Sequence, residues 1–360
     1  MEHLIGPETF TPLSSWILIL VLIASIFFLV KAADLLVEGA SGLAYRLGIP
    51  QVIVGATVIS LGTTTPECAV SVMAAWSGNS GLALGNAVGS VIADTGLIFG
   101  LGCLIKHLTA DRFVLNRQGW IQVSVAVLLA LLCYGTWIMN GEYAALGRPV
   151  GLLLLLLLAG YLCVSVRWAR NHPQGMRGVV PEAMAGKAPG LPDTKEVARR
   201  ERPIWLLARI LSGLIIVIFA SHILILAVSE LVLRWGVPQV VVASTIVALG
   251  TSTPELVIGL ASVFKGHDEI LVGNVIGADI LNILFVTGAS AVASPLFMFD
   301  QQAQVPAIFL ILHLPVMLLI LGIFRLCIFD ASKRGRFSRW MGIPLLTVYV
   351  VYSVLQYVVS

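Results

Sequence analysis

Two short stretches of this sequence place chemically useful groups close together. Gly62-Thr63-Thr64-Thr65-Pro66-Glu67 and Gly250-Thr251-Ser252-Thr253-Pro254-Glu255 each set hydroxyls four and three residues before a carboxylate, with a proline beside it. On a helix, residues at those spacings share a face. A proline has no N–H, and its ring clashes with the carbonyl four residues back. Pro66 is therefore expected to free the Gly62 carbonyl, and Pro254 the Gly250 carbonyl. Carboxylate, hydroxyl and free carbonyl are hard oxygen donors, and a calcium-like cation takes roughly six to eight of them. The sulfur or clustered histidine that zinc or copper would prefer is missing from both stretches. Two carboxylates buried near each other resist ionising. A dication between them removes that penalty, and so would two or three monovalent ions or protons. One set of oxygens with two mutually exclusive loads is a basis for exchange, and it needs no cofactor.

A second pair of stretches follows: Gly85-Asn86-Ala87-Val88-Gly89-Ser90 and Gly273-Asn274-Val275-Ile276-Gly277-Ala278. Small residues four apart let helices approach closely. Ser90 and Asp94 are spaced i, i+4, and their counterparts are Ala278 and Asn282. Asp94 and Asn282 rank as further candidate ligands. The helices carrying these stretches, the third and eighth, are expected to pack on the kinks of the second and seventh.

The elements that must position these residues lie in lipid. Of the 360 residues, 58% are hydrophobic and 11% charged, with a mean hydropathy of +0.96. A soluble domain carries roughly 25% charged residues. In a bilayer core only helices and closed barrels satisfy their own backbone. Unbroken apolar runs such as Gly151–Gly160 favour helices over the alternating strands of a barrel. The fold class expected is an all-α membrane protein with about ten spans, near residues 14–36, 49–75, 80–105, 118–138, 147–168, 203–233, 237–263, 269–292, 303–324 and 339–358. Lys106, Arg112 and Arg117 follow the third span, a run of basic residues surrounds 169–202, and Arg325, Lys333, Arg334, Arg336 and Arg339 flank the ninth loop. The intervening loops hold few. Basic loops stay cytoplasmic, so both termini are expected to be periplasmic or extracellular, in an inner (plasma) membrane. The N-terminus has no basic leader region and is taken as uncleaved.

A shift of 188 residues superposes the chain on itself. Gly48–Gly100 aligns with Gly236–Gly288 without a gap, with 18 identities in 53 pairs. Five spans separate the copies, an odd number, so the copies run in opposite directions across the membrane. Inverted repeats are typical of secondary transporters, with the site near the midplane. The expected division is a first five-helix repeat at 1–168 (motif 48–100), a Pro- and Gly-rich cytoplasmic linker at 169–202, and a second, inverted repeat at 203–360 (motif 236–288).

Gly-Thr-x-x-Pro-Glu followed by Gly-Asn-x-x-Gly-x-x-Ile, present twice, resembles the two alpha-repeats of the sodium/calcium exchangers of the calcium/cation antiporter superfamily. That resemblance implies alternating access, with calcium between Glu67 and Glu255 and sodium in flanking sites. It implies oxygens from Thr63 and Thr251, sodium sites lined by Thr64 and Ser252, and a set completed by Ser90, Asp94 and Asn282. The chain departs from the family where Ala278 replaces a serine and Val91 and Asp279 replace asparagines. Asp279 is either a partner for a proton or cation or a hydrogen-bonding group for a neighbouring helix. Calcium and sodium ions and the lipid bilayer are the expected partners. No nucleic acid, obligate protein partner or cofactor is expected, and the chain is not read as an enzyme. A proton-driven calcium antiporter is the nearest alternative. A cation channel fits paired carboxylates in one chain less well. An intramembrane enzyme would need a nucleophile or metal-binding histidine beside the glutamates.

Other polar groups attract blander readings. Lys31, Asp34 and Glu38 on the first helix read as a snorkelling cluster. Lys265, His107 and His267 lie at loops and suggest no specific role, and the five cysteines read as small apolar fillers. The second, third, seventh and eighth helices are expected to form a core across which the long first and sixth slide.

Overall fold

The computed structural model describes residues 9–47, 51–170, 203–234, 252–299 and 308–359. Nearly all of the expected linker, and residues 236–251 of the second motif, lie outside the described residues.

Eleven labels suffice for the helices described. α1 is Ser15–Leu47. α2 starts as Gln51–Val54, passes through a π turn at Gly55–Ile59 and ends as Ser60–Thr63. α3 is Thr65–Trp76, and α4 is Ser80–Ile105 with a π turn at Asp94–Phe99. α5 is Arg112–Asn140, α6 Arg148–Arg170, α7 Pro203–Arg234 and α8 Thr253–Phe264. α9 is Asp268–Ala293 with a π turn at Asn282–Val286. α10 is Phe309–Arg334 and α11 Gly342–Val359. Among the described residues, seven helices are long and apolar enough to cross a membrane: α1, α4, α5, α6, α7, α9 and α10. The chain is a multi-pass helical membrane protein.

Burial sorts the helices into core and sheath. The apolar window of α9 is 94% buried and that of α4 72%, whereas α1, α6 and α7 bury 28–29% of theirs. The outer helices present Trp16, Leu20, Ile138, Leu156 and Ile215 outward, which in water would be a large exposed apolar patch and in lipid is ordinary. α1 and α7 pack along each other, with the Gly39 position 2.9 Å from the Leu206 carbonyl for any added Cβ. α9 lies against α2, α3, α5, α6 and α8.

Local structure recurs at the 188-residue spacing. The π turns at Asp94 and Asn282 are so related, as are the left-handed glycines Gly78 (φ 83°) and Gly266 (φ 78°) that end α3 and α8. A positive φ is open to glycine at little steric cost. Tertiary pairs recur as well: α3 packs on the π turn of α9, and α8 on the π turn of α4. α6 packs on the end of α9, and α11 on the end of α4. Two short clasps join the copies. β1 (Ala145–Leu146) pairs antiparallel with β2 (Leu296–Phe297), and Thr109 bridges to Arg336.

The expected span at 49–75 is interrupted only at Thr64, which keeps right-handed helical dihedrals (φ −77°, ψ −6°) between α2 and α3. Pro66 sits in the first turn of α3, where a missing N–H is harmless. Thr64 N still donates to the Ser60 carbonyl at 2.8 Å and Cys68 N to the Thr64 carbonyl at 3.0 Å, so the helix is kinked there, as the proline leads one to expect.

Candidate cation site

The break puts Thr63 at the end of one helix and Glu67 in the first turn of the next. Thr63, Thr64 and Glu67 are all buried, and the Thr64 backbone stays right-handed helical between them. The Thr64 carbonyl accepts from Cys68 N at 3.0 Å, and in the second copy the Ser252 carbonyl accepts from Leu256 N at 3.1 Å. Both helix starts thus use the same backbone bond. Thr251 and the Gly250 carbonyl lie outside the described residues. Glu67 and Glu255 each stand in the first turn of their helix, the end where amide dipoles favour negative charge.

The side chains meet across the two copies. Glu67 lies within electrostatic reach of Glu255 and of Asp94. Thr63 of the first copy lies beside the Glu255 carboxyl of the second, and Ser252 of the second lies beside Asp94 of the first. Thr63, Thr64, Glu67, Ser90, Asp94, Ser252, Glu255, Asp279 and Asn282 are all buried. Burial of polar groups normally goes with hydrogen bonding, yet here it does not. Both carboxylate oxygens of Glu67 and of Asp94 lack a hydrogen-bond partner, as do Glu255 Oε2, Thr64 Oγ1, Ser252 Oγ and Asn282 Oδ1. An isolated buried carboxylate costs far more than it can recover alone, so this oxygen-rich interior is built for positive charge to enter it. Among the described residues no three acidic, histidine or cysteine side chains converge into one compact cage. Any cation held here would draw hydroxyl and carbonyl oxygens into its shell along with the carboxylates.

Asp279 stands differently. Its Oδ2 accepts from the Thr95 hydroxyl at 2.5 Å and from the Gln122 amide, while Oδ1 has no partner. Gln122 and Thr95 did not figure in the sequence reading. Their signal was present: Gln118 and Gln122 stand four apart inside an otherwise apolar span, one helical face of amides with no reason to face lipid.

α4 packs on α3 and α9 on α8, as expected, but the motif glycines do not make those contacts: a Cβ at Gly85 or Gly89 would meet only His313 or Tyr352, at 3.8 and 3.9 Å, and one at Gly277 would strike Ser60 and Ala56 of α2. α9 also meets α2 backbone to backbone: a Cβ at Gly55 would lie 2.7 Å from the Ile270 carbonyl. Ser60 donates to the Asn274 carbonyl at 3.0 Å across that contact. Asn86 donates to Ser71 Oγ at 2.9 Å and to the Glu67 carbonyl at 3.3 Å, which holds the backbone at the first carboxylate.

The sequence profile described as "Sodium/calcium exchanger protein" matches residues 17–167 and 205–358. The chain is 30% identical over 357 residues to the sodium/calcium exchanger MaX1 of Methanosarcina acetivorans, covering 94% of this chain and 98% of that one. It is 32% identical over 342 residues to the inner membrane protein YrbG of Escherichia coli, covering 94% and 96%. Its fold resembles a solved sodium-calcium exchanger, NCX_Mj, with a TM-score of 0.72 at 22% identity over 94% of this chain and 98% of that chain. With the profile covering most of the chain and two full-length relatives at this identity, the protein belongs to the sodium/calcium exchanger family.

Proposed function

We propose that this protein exchanges calcium for sodium across the membrane by alternating access. The single observation that carries the reading is the pair of buried carboxylates, Glu67 and Glu255, within electrostatic reach of each other, with both oxygens of Glu67 and Oε2 of Glu255 unpartnered. Calcium sits between them, with oxygens from Thr63 and Thr251. Sodium occupies flanking positions lined by Thr64, Ser252 and Ser90, and Asp94 and Asn282 bound the space between. Asp279 keeps its helix in place through Thr95 and Gln122. Family membership and the names of the full-length relatives support the ion pair chosen.

The architecture proposed is ten spans in two inverted five-helix repeats, 1–168 and 203–360, joined by a cytoplasmic linker at 169–202. The recurrence of π turns and of helix-ending left-handed glycines at one spacing supports it. Both termini lie outside the cytoplasm, because the basic loops gather on one side. The buried helices α3, α4, α8 and α9 hold the site, and the lipid-facing pair α1 and α7 moves across them. Binding either load removes carboxylate repulsion, so the empty, doubly charged site is the state least suited to crossing.

The test is calcium uptake into sodium-loaded liposomes diluted into sodium-free buffer, with and without an imposed pH gradient. Uptake that requires the outward sodium gradient is the expected result. Uptake driven only by the pH gradient would replace sodium with protons as the driver, a reading that the additional acid at Asp279 favours.

A further inference from the structure

Away from the carboxylates, a groove of about 730 Å³ opens where the start of α5 meets the end of α6. Arg112, Phe113, Asn116, Arg117 and Trp120 line it along one face of α5, and Trp168 closes it from α6. Two guanidinium groups lie against these rings, and Arg112 lines the same groove. Arg117 lies 3.6 Å over the Phe113 ring and 5.8 Å from that of Trp168, and Arg325 of α10 lies 4.5 Å over Trp120. Such stacking fixes a guanidinium in place without neutralising it. Arg117 spends one donor on the Phe113 carbonyl at 3.2 Å. Arg325 Nη1 is buried and has no acceptor. Among the described residues none of the three arginines is in an ion pair.

Arg325 sharpens the problem. It stands nine residues before the end of α10 at Arg334, roughly 13 Å into the helix at the usual rise. A guanidinium with a buried nitrogen that meets no acceptor is costly unless an anion meets it. Below Trp120 the lipid-facing stripe of α5 continues as Val127 and Leu131, both exposed. An anion with apolar tails fits this surface: its charge meets the arginines and its chains follow the stripe. A free inorganic anion would make no use of the exposed rings.

We propose that this groove is a binding site for one anionic phospholipid of the leaflet on the basic-loop side, its headgroup phosphate held by Arg112, Arg117 and Arg325. The site ties α5, α6 and α10 together at the bilayer edge and rests only on the chain's spanning a membrane.

The experiment is native mass spectrometry of the full chain incubated with phosphatidylglycerol or phosphatidylcholine, with inorganic phosphate as a third arm read by thermal melting. The unaltered protein is expected to retain phosphatidylglycerol over phosphatidylcholine. Arg117→Gln with Arg325→Gln is expected to lower that retention about thirtyfold, as loss of two surface cations predicts. Lys333→Gln removes a positive charge that is stacked on Phe329 instead, and should retain the lipid. Should Arg325→Gln fail to fold, Arg112→Gln with Arg117→Gln carries the same expectation. Equal retention of phosphatidylcholine, unchanged retention in the paired variants, or equal loss in Lys333→Gln would overturn the proposal. Inorganic phosphate raising the melting temperature as much as phosphatidylglycerol would overturn it in favour of a free-anion site.

Discussion

Lys265 Nζ lies 2.8 Å from Glu38 Oε1, joining the C-terminal cap of α8 to the middle of α1. The same ammonium reaches Asp34 at 3.1 Å, and Arg209 of α7 reaches Glu38 at 3.4 Å. The charges read as a snorkelling cluster on α1 are therefore paired with two other helices. The pairing spans the proposed boundary between the moving helices and the core, so it holds one relative position of the two. Lys265→Gln and Glu38→Gln are each expected to lower thermal stability. Lys265 is 10% exposed, so the coupling should be near the upper end for partly exposed pairs, about 1 kcal/mol. A double-mutant cycle by thermal melting measures it, and strict additivity would remove the latch.

Glu67→Gln and Glu255→Gln are expected to reduce calcium exchange at least about a hundredfold, the scale of losing one charged ligand from a hard-cation site at 2–3 kcal/mol. Without ions the variants should melt at or above the temperature of the unaltered protein, because each removes a buried charge that has no partner. Added calcium should raise the melting temperature of the unaltered protein alone, by mass action on the folded state. Calcium stabilisation that survives either substitution would move the site elsewhere.

The parts of this arrangement that were legible in the sequence are those fixed by local covalent chemistry. Pro66 forced an interruption at Thr64, and the 188-residue repeat announced two similar units. The cross-copy placement of Thr63 beside Glu255 and Ser252 beside Asp94 was hidden, since spacing along one chain segment carries no information about a segment 188 residues away. Lys265 looked like an ordinary loop lysine because its partners, Asp34 and Glu38, are distant in sequence. Ser90 and Asp94 were legible as a pair because i, i+4 spacing survives up to the π turn that begins at Asp94.

Gly55→Ala and Gly322→Ala should part company. At Gly55 the new methyl would lie 2.7 Å from the Ile270 carbonyl and 3.1 Å from Asn274 N, both backbone atoms that cannot turn aside. Overpacking of that kind costs about 1–3 kcal/mol or more. At Gly322 nothing lies within 4 Å, and alanine relieves the helix of glycine's excess freedom, a gain of about 0.5–1 kcal/mol. Melting curves in detergent measure both. A silent Gly55→Ala would mean that α2 and α9 are not in backbone contact.

His267 gives the stability a pH dependence on the basic-loop side. Burial, reinforced by the neighbouring Lys265 charge, holds its imidazole below the ordinary value of 6.5. A depressed value means that the unfolded chain binds the proton more readily, so stability rises with pH through that interval. The contribution is complete above about pH 6.5 and is lost as pH falls from there through the lower folded value. His267→Asn, which can keep a bond to Gln51, should flatten the melting temperature between pH 7 and the acid limb. An unchanged slope would assign that limb to other groups.

Asp279 supplies the sharpest separation between a ligand and a positioning group. Its Oδ2 is already engaged by Thr95 on α4 and Gln122 on α5, so the carboxylate ties three helices behind the site. Gln122→Leu removes one donor and leaves a buried charge short of a partner, an expected loss of about 1–3 kcal/mol. Asp279→Asn removes the charge but keeps an acceptor oxygen for Thr95 and Gln122, so it should fold normally and retain sodium-driven calcium uptake within a few-fold. Combining the two should restore part of the stability lost in Gln122→Leu, because the neutral amide tolerates a missing donor better than a carboxylate does. The measurements are melting temperature and initial uptake rate in the same liposomes. If Asp279→Asn folds but abolishes uptake, Asp279 contacts the transported ions directly. If it abolishes only uptake driven by a pH gradient, the carboxylate carries the proton of a second, proton-coupled mode beside the sodium-driven one.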